Sequence, residues 1–218
     1  MTKKRYTGRL IVIEGADGAG TTTQTMALAK NLEQRFIKEG GHRHALCTKE
    51  PYSNALGAHI REVLKAMDSD KTYAQSFYEE LALSFATNRL QHYNNFIKPN
   101  LEAGNIIISD RFTLSSFVYQ GIHCDREWLA QINARAPRPD ALIYLRCSEQ
   151  VCHDRIKSRG LPLDFYESQD TRQEVIKRYD QEYALYAQKG AVLSVDGDTY
   201  PLAVMQAYLP FIEPLIAS

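Results

Sequence analysis

Glu14-Gly15-Ala16-Asp17-Gly18-Ala19-Gly20-Thr21-Thr22-Thr23-Gln24 is the stretch on which the reading of this chain turns. It follows the apolar run Leu10-Ile11-Val12-Ile13 and leads into Thr25-Met26-Ala27-Leu28-Ala29-Lys30-Asn31-Leu32, which reads as a helix. A strand, a glycine loop and a helix in that order are the context in which the spacing G-x-x-x-x-G-K-[ST] describes a phosphate cradle. Gly15 and Gly20 keep that spacing, and Thr22 stands where a magnesium-binding hydroxyl belongs. Gly18 and Gly20 let the backbone turn its N–H groups inward without a Cβ in the way. The following helix adds the positive end of its dipole. Gly15, Ala16, Asp17, Gly18, Ala19, Gly20, Thr21, Thr22 and Thr23 therefore form a candidate donor-phosphate loop. One residue departs from the pattern, because Thr21 stands at the lysine position. The backbone cradle and the helix dipole do not depend on that side chain, whereas a fixed charge on a transferring phosphoryl group does. A tight glycine-rich turn that binds nothing is the competing reading of the loop taken alone.

Outward from the loop, the bulk composition is that of an ordinary globular chain. Its 218 residues suit one domain with a substantial core, with 44% apolar and 24% charged residues. Lys plus Arg and Asp plus Glu are equal at 26 each, so the basic excess of a duplex nucleic-acid binder is missing and no nucleic-acid polymer is expected as partner. No apolar run approaches the roughly 18 residues of a membrane span, and nothing behind the first residues resembles a signal peptide, so no membrane partner is expected. Cys47, Cys124, Cys147 and Cys152 form no C-x-x-C pair, which suits reduced thiols and a cytoplasmic location.

Strand and helix signals alternate along the rest of the chain. His44-Ala45-Leu46-Cys47-Thr48 predicts a second strand, and Leu56, Ile60, Val63, Leu64 and Met67 recur at helical spacing. Asp68-Ser69-Asp70 is a predicted loop or cap, followed by a long helix over about 72–97 that Pro99 and Gly104 close. Ile106-Ile107-Ile108 is too short for a helix and fits a central parallel strand. Asp125 is placed to cap a helix to about Ala134, Ala141-Leu142-Ile143-Tyr144-Leu145 gives a fourth strand, and Ser148-Glu149 opens a helix that stops at Gly160. A helix over about 171–189, the strand Val192-Leu193-Ser194-Val195 and a final helix bent around Pro210 complete the pattern. The fold class that follows is α/β: a five-stranded parallel sheet with helices on both faces, in a single domain over 1–218. In such a sheet, ligands sit outside the carboxyl ends of the strands. The glycine loop, Thr48-Lys49-Glu50-Pro51 and Asp110-Arg111-Phe112 would converge there.

Each of these constellations has a dull alternative. Asp110 can hold magnesium and Arg111 can grip phosphate with its planar fork, or the two can be a salt-bridged loop pair. Phe85 and Arg89 stand four apart on one helix face. They suit a ring and a guanidinium gripping a nucleobase, and equally a core phenylalanine beside a surface arginine. Arg155 and Arg159, with Lys157 between them, end a helix before an irregular stretch over 161–168. Cations are favourable at any helix C-terminus; the sharper reading is a lid over about 155–168 that brings charge to the phosphates. The six histidines show no metal-ligand spacing, and no nucleophile–base pair stands out.

Taken together, the segments resemble the thymidylate kinases, the dTMP kinases among the nucleoside monophosphate kinases. The loop resembles their E-G-x-D-G-x-G-K-T-T-Q except at Thr21, and Thr48-Lys49-Glu50-Pro51 resembles their T-R-E-P. Leu83 to His92 resembles L-F-A-A-x-R-x-x-H, Asp110 to Gly121 resembles D-R-Y-x-x-S-S-x-A-Y-Q-G, and Arg155-Ile156-Lys157-Ser158-Arg159-Gly160 resembles the start of their lid. The matches keep their order over roughly residues 9 to 200. The resemblance implies a P-loop NTPase fold and transfer of the γ-phosphate of ATP to dTMP, giving dTDP, with Mg2+ held by Thr22 and Asp110. It implies that Asp17 meets the sugar 3′-hydroxyl, Phe85 stacks on thymine and Arg89 bonds its carbonyl edge. Arg111, helped by Lys49, would bind the monophosphate, and Ser116, Tyr119 and Gln120 would line the acceptor pocket. Arg111, Arg155 and Arg159 become the candidate catalytic cations, and a homodimer is expected. Two departures bear on catalysis. Thr21 removes the loop lysine, and Leu161-Pro162-Leu163-Asp164-Phe165 stands where many bacterial members read closer to G-x-L-D-R. They keep open a nucleotide-binding protein with little kinase activity, and a kinase for another pyrimidine monophosphate is a further reading.

Overall fold

The computed structural model describes residues 6–67, 71–160, 165–167, 169–188 and 190–217. Among these, β1 (Arg9–Glu14), β2 (Ala45–Lys49), β3 (Ile106–Asp110), β4 (Ala141–Arg146) and β5 (Val192–Asp196) form one sheet in the order β2-β3-β1-β4-β5, with every pairing parallel. The three inner strands are almost wholly buried, which is why they read as unbroken apolar runs rather than alternating ones. Successive residues still point to opposite faces. Leu10, Val12 and Ile107 pack with Ile97, Leu101 and Phe112, while Ile11, Ile13, Ile106 and Ile108 join a larger cluster with Leu28, Leu32 and Phe36. Both faces are therefore covered, as the alternation of elements implied.

The helices are α1 (Thr21–Lys38), α2 (Ala55–Ala66), α3 (Gln75–His92), α4 (Lys98–Glu102), α5 (Thr113–Tyr119), α6 (Arg126–Ile132), α7 (Glu149–Ser158), α8 (Gln169–Ala187) and α9 (Pro201–Ile216). Several start where a side chain satisfies an otherwise orphaned N–H. Asn54 accepts from Gly57 N at 2.8 Å, Asp125 from Trp128 N at 2.8 Å and Ser148 from Val151 N at 3.4 Å.

The structure corrects the sequence reading in places. The long helix begins at Gln75 and does not end near Pro99. It passes through a π-turn at Tyr93–Ile97 into α4, where Pro99 lies in the first turn and its missing N–H is harmless. The helix capped by Asp125 ends at Ile132 rather than near Ala134. Helix α9 contains both Pro210 and Pro214. The predicted loop at Asp68-Ser69-Asp70 and the lid residues 161–164 and 168 lie outside the described residues.

Register sets up the site. Ile13 and Lys49 both pair with Asp110, so the carboxyl ends of β1, β2 and β3 stand level. β1 lies between β3 and β4, where the chain's path across the sheet reverses, the usual place for a ligand crevice in such a sheet.

Candidate active site

The glycine loop leaves β1 at Glu14 and turns into α1 at Gly20. Gly18 and Gly20 have φ of 86° and 96°, in the left-handed region that side chains avoid. A Cβ on Gly18 would also stand 2.5 Å from the carbonyl oxygen of Cys152, so α7 packs directly against the loop. A cavity of about 480 Å³ opens over this loop. It is lined by Asp17, Gly18, Gly20, Thr21, Thr22, Thr23, Asp110, Arg111, Arg155 and Arg159. Lys157 is exposed and lines neither this cavity nor its neighbours described below.

Asp110 ends β3 opposite the start of α1. The Thr22 hydroxyl donates to its Oδ2, while Oδ1 is buried and has no hydrogen-bond partner among the described residues. A buried carboxylate oxygen without a donor is costly unless something satisfies it. A hydroxyl and a carboxylate, joined by the phosphate oxygens of a nucleotide bound in this cavity, would form the hard-oxygen set that suits Mg2+. The residues present fit that ion.

Arg111 follows Asp110 with a φ of 67°, unusual for a residue with a side chain, and its N–H donates to Ile13 O at 2.9 Å. The conformation turns the guanidinium toward the loop. Its Nη2 donates to Asp17 Oδ1 at 2.7 Å, its Nη1 donates to the Tyr179 hydroxyl at 2.7 Å, and its carbon lies 5.0 Å from the Tyr119 ring centre. Tyr119 donates to the other Asp17 oxygen at 2.9 Å. Burial by itself would lower the Arg111 pKa, but Tyr119, Tyr179, Asp17 and Asp110 outweigh it and hold the group well above its ordinary value. Burial pushes the Tyr119 and Tyr179 hydroxyls well up, so both stay protonated.

A second cavity, of about 230 Å³, adjoins the first and shares Asp17 and Arg111 with it. Phe85, Arg89, Tyr119 and Gln120, which the resemblance put on the acceptor side, line it together with Glu50, Arg61, Ser115 and Tyr166. Phe85 is half-buried at its wall. Arg89 is buried, and each of its N–H groups faces a protein acceptor. Nε and Nη2 both lie 2.7 Å from Glu50 Oε2, Nη1 reaches Ser116 Oγ at 2.9 Å and also Asn133 Oδ1, and Nη2 reaches Phe112 O at 3.2 Å. Arg89 is thus the hub that ties α3 to β2, α5 and α6 beneath the cavity. Ser116 takes part through that bond rather than by lining the cavity, and exposed Lys49 lines neither cavity.

On the far side of the loop, Arg155 Nη1 donates to the carbonyls of Gly197 at 2.9 Å and of Gly18 and Ala19 at 3.4 Å, and Nη2 donates to Thr199 O at 3.3 Å. It braces the loop against the segment after β5. There it also borders a third cavity, of about 320 Å³, with Gln24 and Tyr200. Arg159, just past the end of α7, lines the phosphate-loop cavity.

Several site residues carried no local sequence signal. Tyr179 comes from the middle of α8, Arg61 from α2 and Tyr166 from the turn before α8. Glu14 was visible only as the residue before the loop, and Glu50 only as part of the Thr48–Pro51 segment. Glu14 is fully buried and accepts from Phe112 N at 2.8 Å, Ser115 N at 3.3 Å, Ser115 Oγ at 2.7 Å and Tyr179 OH at 3.0 Å. Burial raises its pKa, against the opposing pull of Ser115, Arg111, Phe112 and Tyr179. His92, given no role from spacing, lies under β2 with Nε2 2.7 Å from Thr48 Oγ1 and Nδ1 3.3 Å from Glu50 Oε1, which helps fix the carboxylate that holds Arg89.

Comparison with known proteins identifies the family. The family model described as Thymidylate kinase matches residues 13–205. The chain is 37% identical over 176 residues to the probable thymidylate kinase of Pyrococcus horikoshii, covering 79% of this chain and 81% of that protein. It is 38% identical over 167 residues to the thymidylate kinase of Synechococcus sp. (strain CC9605), covering 71% and 78%. To that of Nostoc punctiforme it is 34% identical over 209 residues, covering 91% and 92%. With a phosphate loop at the end of β1 and an adjoining cavity that shares Asp17 and Arg111 with it, the chain belongs to the thymidylate kinase family and has its P-loop NTPase fold.

Proposed function

We propose that the protein is an ATP-dependent kinase that phosphorylates dTMP to dTDP. The observation that carries this reading is the pair of adjoining cavities meeting at Asp17 and Arg111. One surrounds the phosphate loop, and the other has an aromatic wall and buried polar groups. A donor phosphate in the first and an acceptor monophosphate reaching from the second would meet at Arg111, and phosphoryl transfer depends chiefly on such positioning and charge.

In this reading Gly15 to Thr23 cradle the ATP phosphates, and Thr22 and Asp110 hold Mg2+. The bound ion would supply positive charge to the phosphate oxygens. Phe85 stacks on the base, Gln120 and Tyr119 line its pocket, and Arg89, through Glu50 and Ser116, keeps the pocket floor rigid and polar. Asp17 takes the sugar hydroxyl, and Arg111 grips the acceptor phosphate. Arg155 and Arg159 provide cationic charge over a loop that lacks its lysine. Lys49, exposed at the end of β2, is left as a peripheral cation. The whole chain acts as one domain with a lid at about 155–168, and the family resemblance adds a homodimer in the cytoplasm to the proposal. Among the described residues no helix is long and apolar enough to cross a membrane.

The test is turnover with MgATP on dTMP, dUMP, UMP and dCMP compared side by side. The reading predicts the highest kcat/KM on dTMP. A preference for another pyrimidine monophosphate would replace the acceptor, and no turnover on any of them would overturn the kinase.

A further inference from the structure

Resting on the reading that Arg111 grips the acceptor phosphate, we propose that Glu14 is a positioning residue for that grip. Its carboxylate draws the protons of the Ser115 and Tyr179 hydroxyls toward itself, so that both oxygens turn lone pairs to the Arg111 guanidinium.

The geometry leaves little freedom. Glu14 Oε1 accepts two backbone N–H groups, from Phe112 at 2.8 Å and Ser115 at 3.3 Å, which can only donate. Oε2 faces two hydroxyls, Ser115 Oγ at 2.7 Å and Tyr179 OH at 3.0 Å. A hydroxyl has one proton to give and lone pairs to offer. The Ser115 and Tyr179 oxygens lie 3.0 Å apart, and each has the choice of donating to the other or to the carboxylate. An ionised carboxylate takes both protons, since a hydrogen bond to a charged acceptor is the stronger one. What remains on Tyr179 is an acceptor, 2.7 Å from Arg111 Nη1, and on Ser115 a second, more distant one at 3.5 Å. Arg111 meanwhile stands in a left-handed backbone conformation that must be held from outside. Glu14 does so twice: its Oε1 ties down the backbone just after Arg111, and its Oε2 orders the hydroxyls that the guanidinium leans on. The loop motif thus reaches the acceptor phosphate through its first residue, with no contact between Glu14 and any ligand.

Glu14→Gln keeps the shape and inverts the chemistry. With Oε1 kept on the two backbone N–H groups, its amide nitrogen donates to the hydroxyls, whose protons then turn away from residue 14, toward each other or toward Arg111. The experiment is titration calorimetry of wild type and Glu14→Gln with dTMP and with thymidine, the nucleoside lacking the phosphate. The expected result is dTMP binding weakened roughly 10- to 100-fold while thymidine binding is unchanged. Tyr179→Phe, which keeps the ring stacked on Tyr144, is expected to show the same split and stands in if Glu14→Gln does not fold. Where both fold, the double variant is expected to lose less than the sum of the two single losses. Equal weakening of dTMP and thymidine would mean a general structural role and overturn the proposal, as would unchanged dTMP binding in both single variants. If wild type itself binds dTMP no better than thymidine, the phosphate grip fails and the positioning role fails with it.

Discussion

Replacing Arg111 by lysine separates charge from geometry at the point where the two cavities meet. The guanidinium donates with Nη1 to Tyr179 and with Nη2 to Asp17, each at 2.7 Å, from the two arms of one fork. A lysine ammonium keeps the positive charge beside Asp17, so little stability should be lost. It is a point charge on a flexible stem and cannot hold Tyr179, Asp17 and a phosphate oxygen in fixed directions at once. Losing one charge-assisted hydrogen bond to the acceptor phosphate corresponds to about 2 kcal/mol, or roughly 30-fold in kcat/KM. Arg111→Ala removes the charge as well, and a fall of about two to three orders of magnitude is expected. The assay is steady-state kcat/KM for dTMP at saturating MgATP, with thermal unfolding of each variant measured alongside. An Arg111→Lys enzyme within twofold of wild type, equally folded, would refute the assignment of the acceptor phosphate to this fork.

Further outcomes follow from the same geometry. Arg89→Ala leaves the Glu50 carboxylate buried without its counter-charge, so unfolding stability in urea should fall by about 3–5 kcal/mol; a loss below about 1 kcal/mol would contradict the hub. Gly18→Ala forces a side chain into a left-handed conformation 2.5 Å from the Cys152 carbonyl oxygen, and ATP affinity measured by calorimetry should fall at least about tenfold. Unchanged affinity would mean that the loop does not form the donor site. Burial raises the Glu14 pKa above its ordinary 4.5, so its contribution to stability is complete below about that pH and is lost as pH rises through the raised value. Glu14→Gln lacks this dependence, so the stability of wild type minus that of the variant should fall as pH rises above about 4.5. A difference that grows with pH would reverse the sign and contradict it.

What could be read from the sequence was local. The strand–loop–helix unit, the buried run Ile106–Ile108 leading into Asp110-Arg111, and the Phe85–Arg89 pair are each contained in one continuous stretch of chain, and their periodicity or spacing states their geometry directly. The contacts that assemble the site are not local. Tyr179 meets Glu14 across 165 residues, from a helix whose own pattern gives no hint of it, and Arg155, legible only as a cation for the phosphates, instead meets the loop's carbonyls across 137. Arg89 shows the same limit from the other side. Spacing placed it on the face of Phe85, but that Glu50, Ser116, Asn133 and Phe112 take up its donors depends on three other segments folding against it. The continuation of α3 through the π-turn toward Pro99 was hidden because a proline reads as a stop unless it lies in the first turn of a new helix.

Thr21 makes one measurement decisive for the central claim, since it removes the cation that phosphate loops of this pattern carry. Purified protein with ATP and Mg2+ should be assayed for ADP formation with and without dTMP, with the nucleotide product identified chromatographically. The account predicts dTMP-dependent turnover with dTDP as product, because Arg111, Arg155 and Arg159 still surround the phosphate cavity. Binding of ATP and dTMP without any turnover would contradict it, and would make the protein a nucleotide binder that lost its chemistry at Thr21.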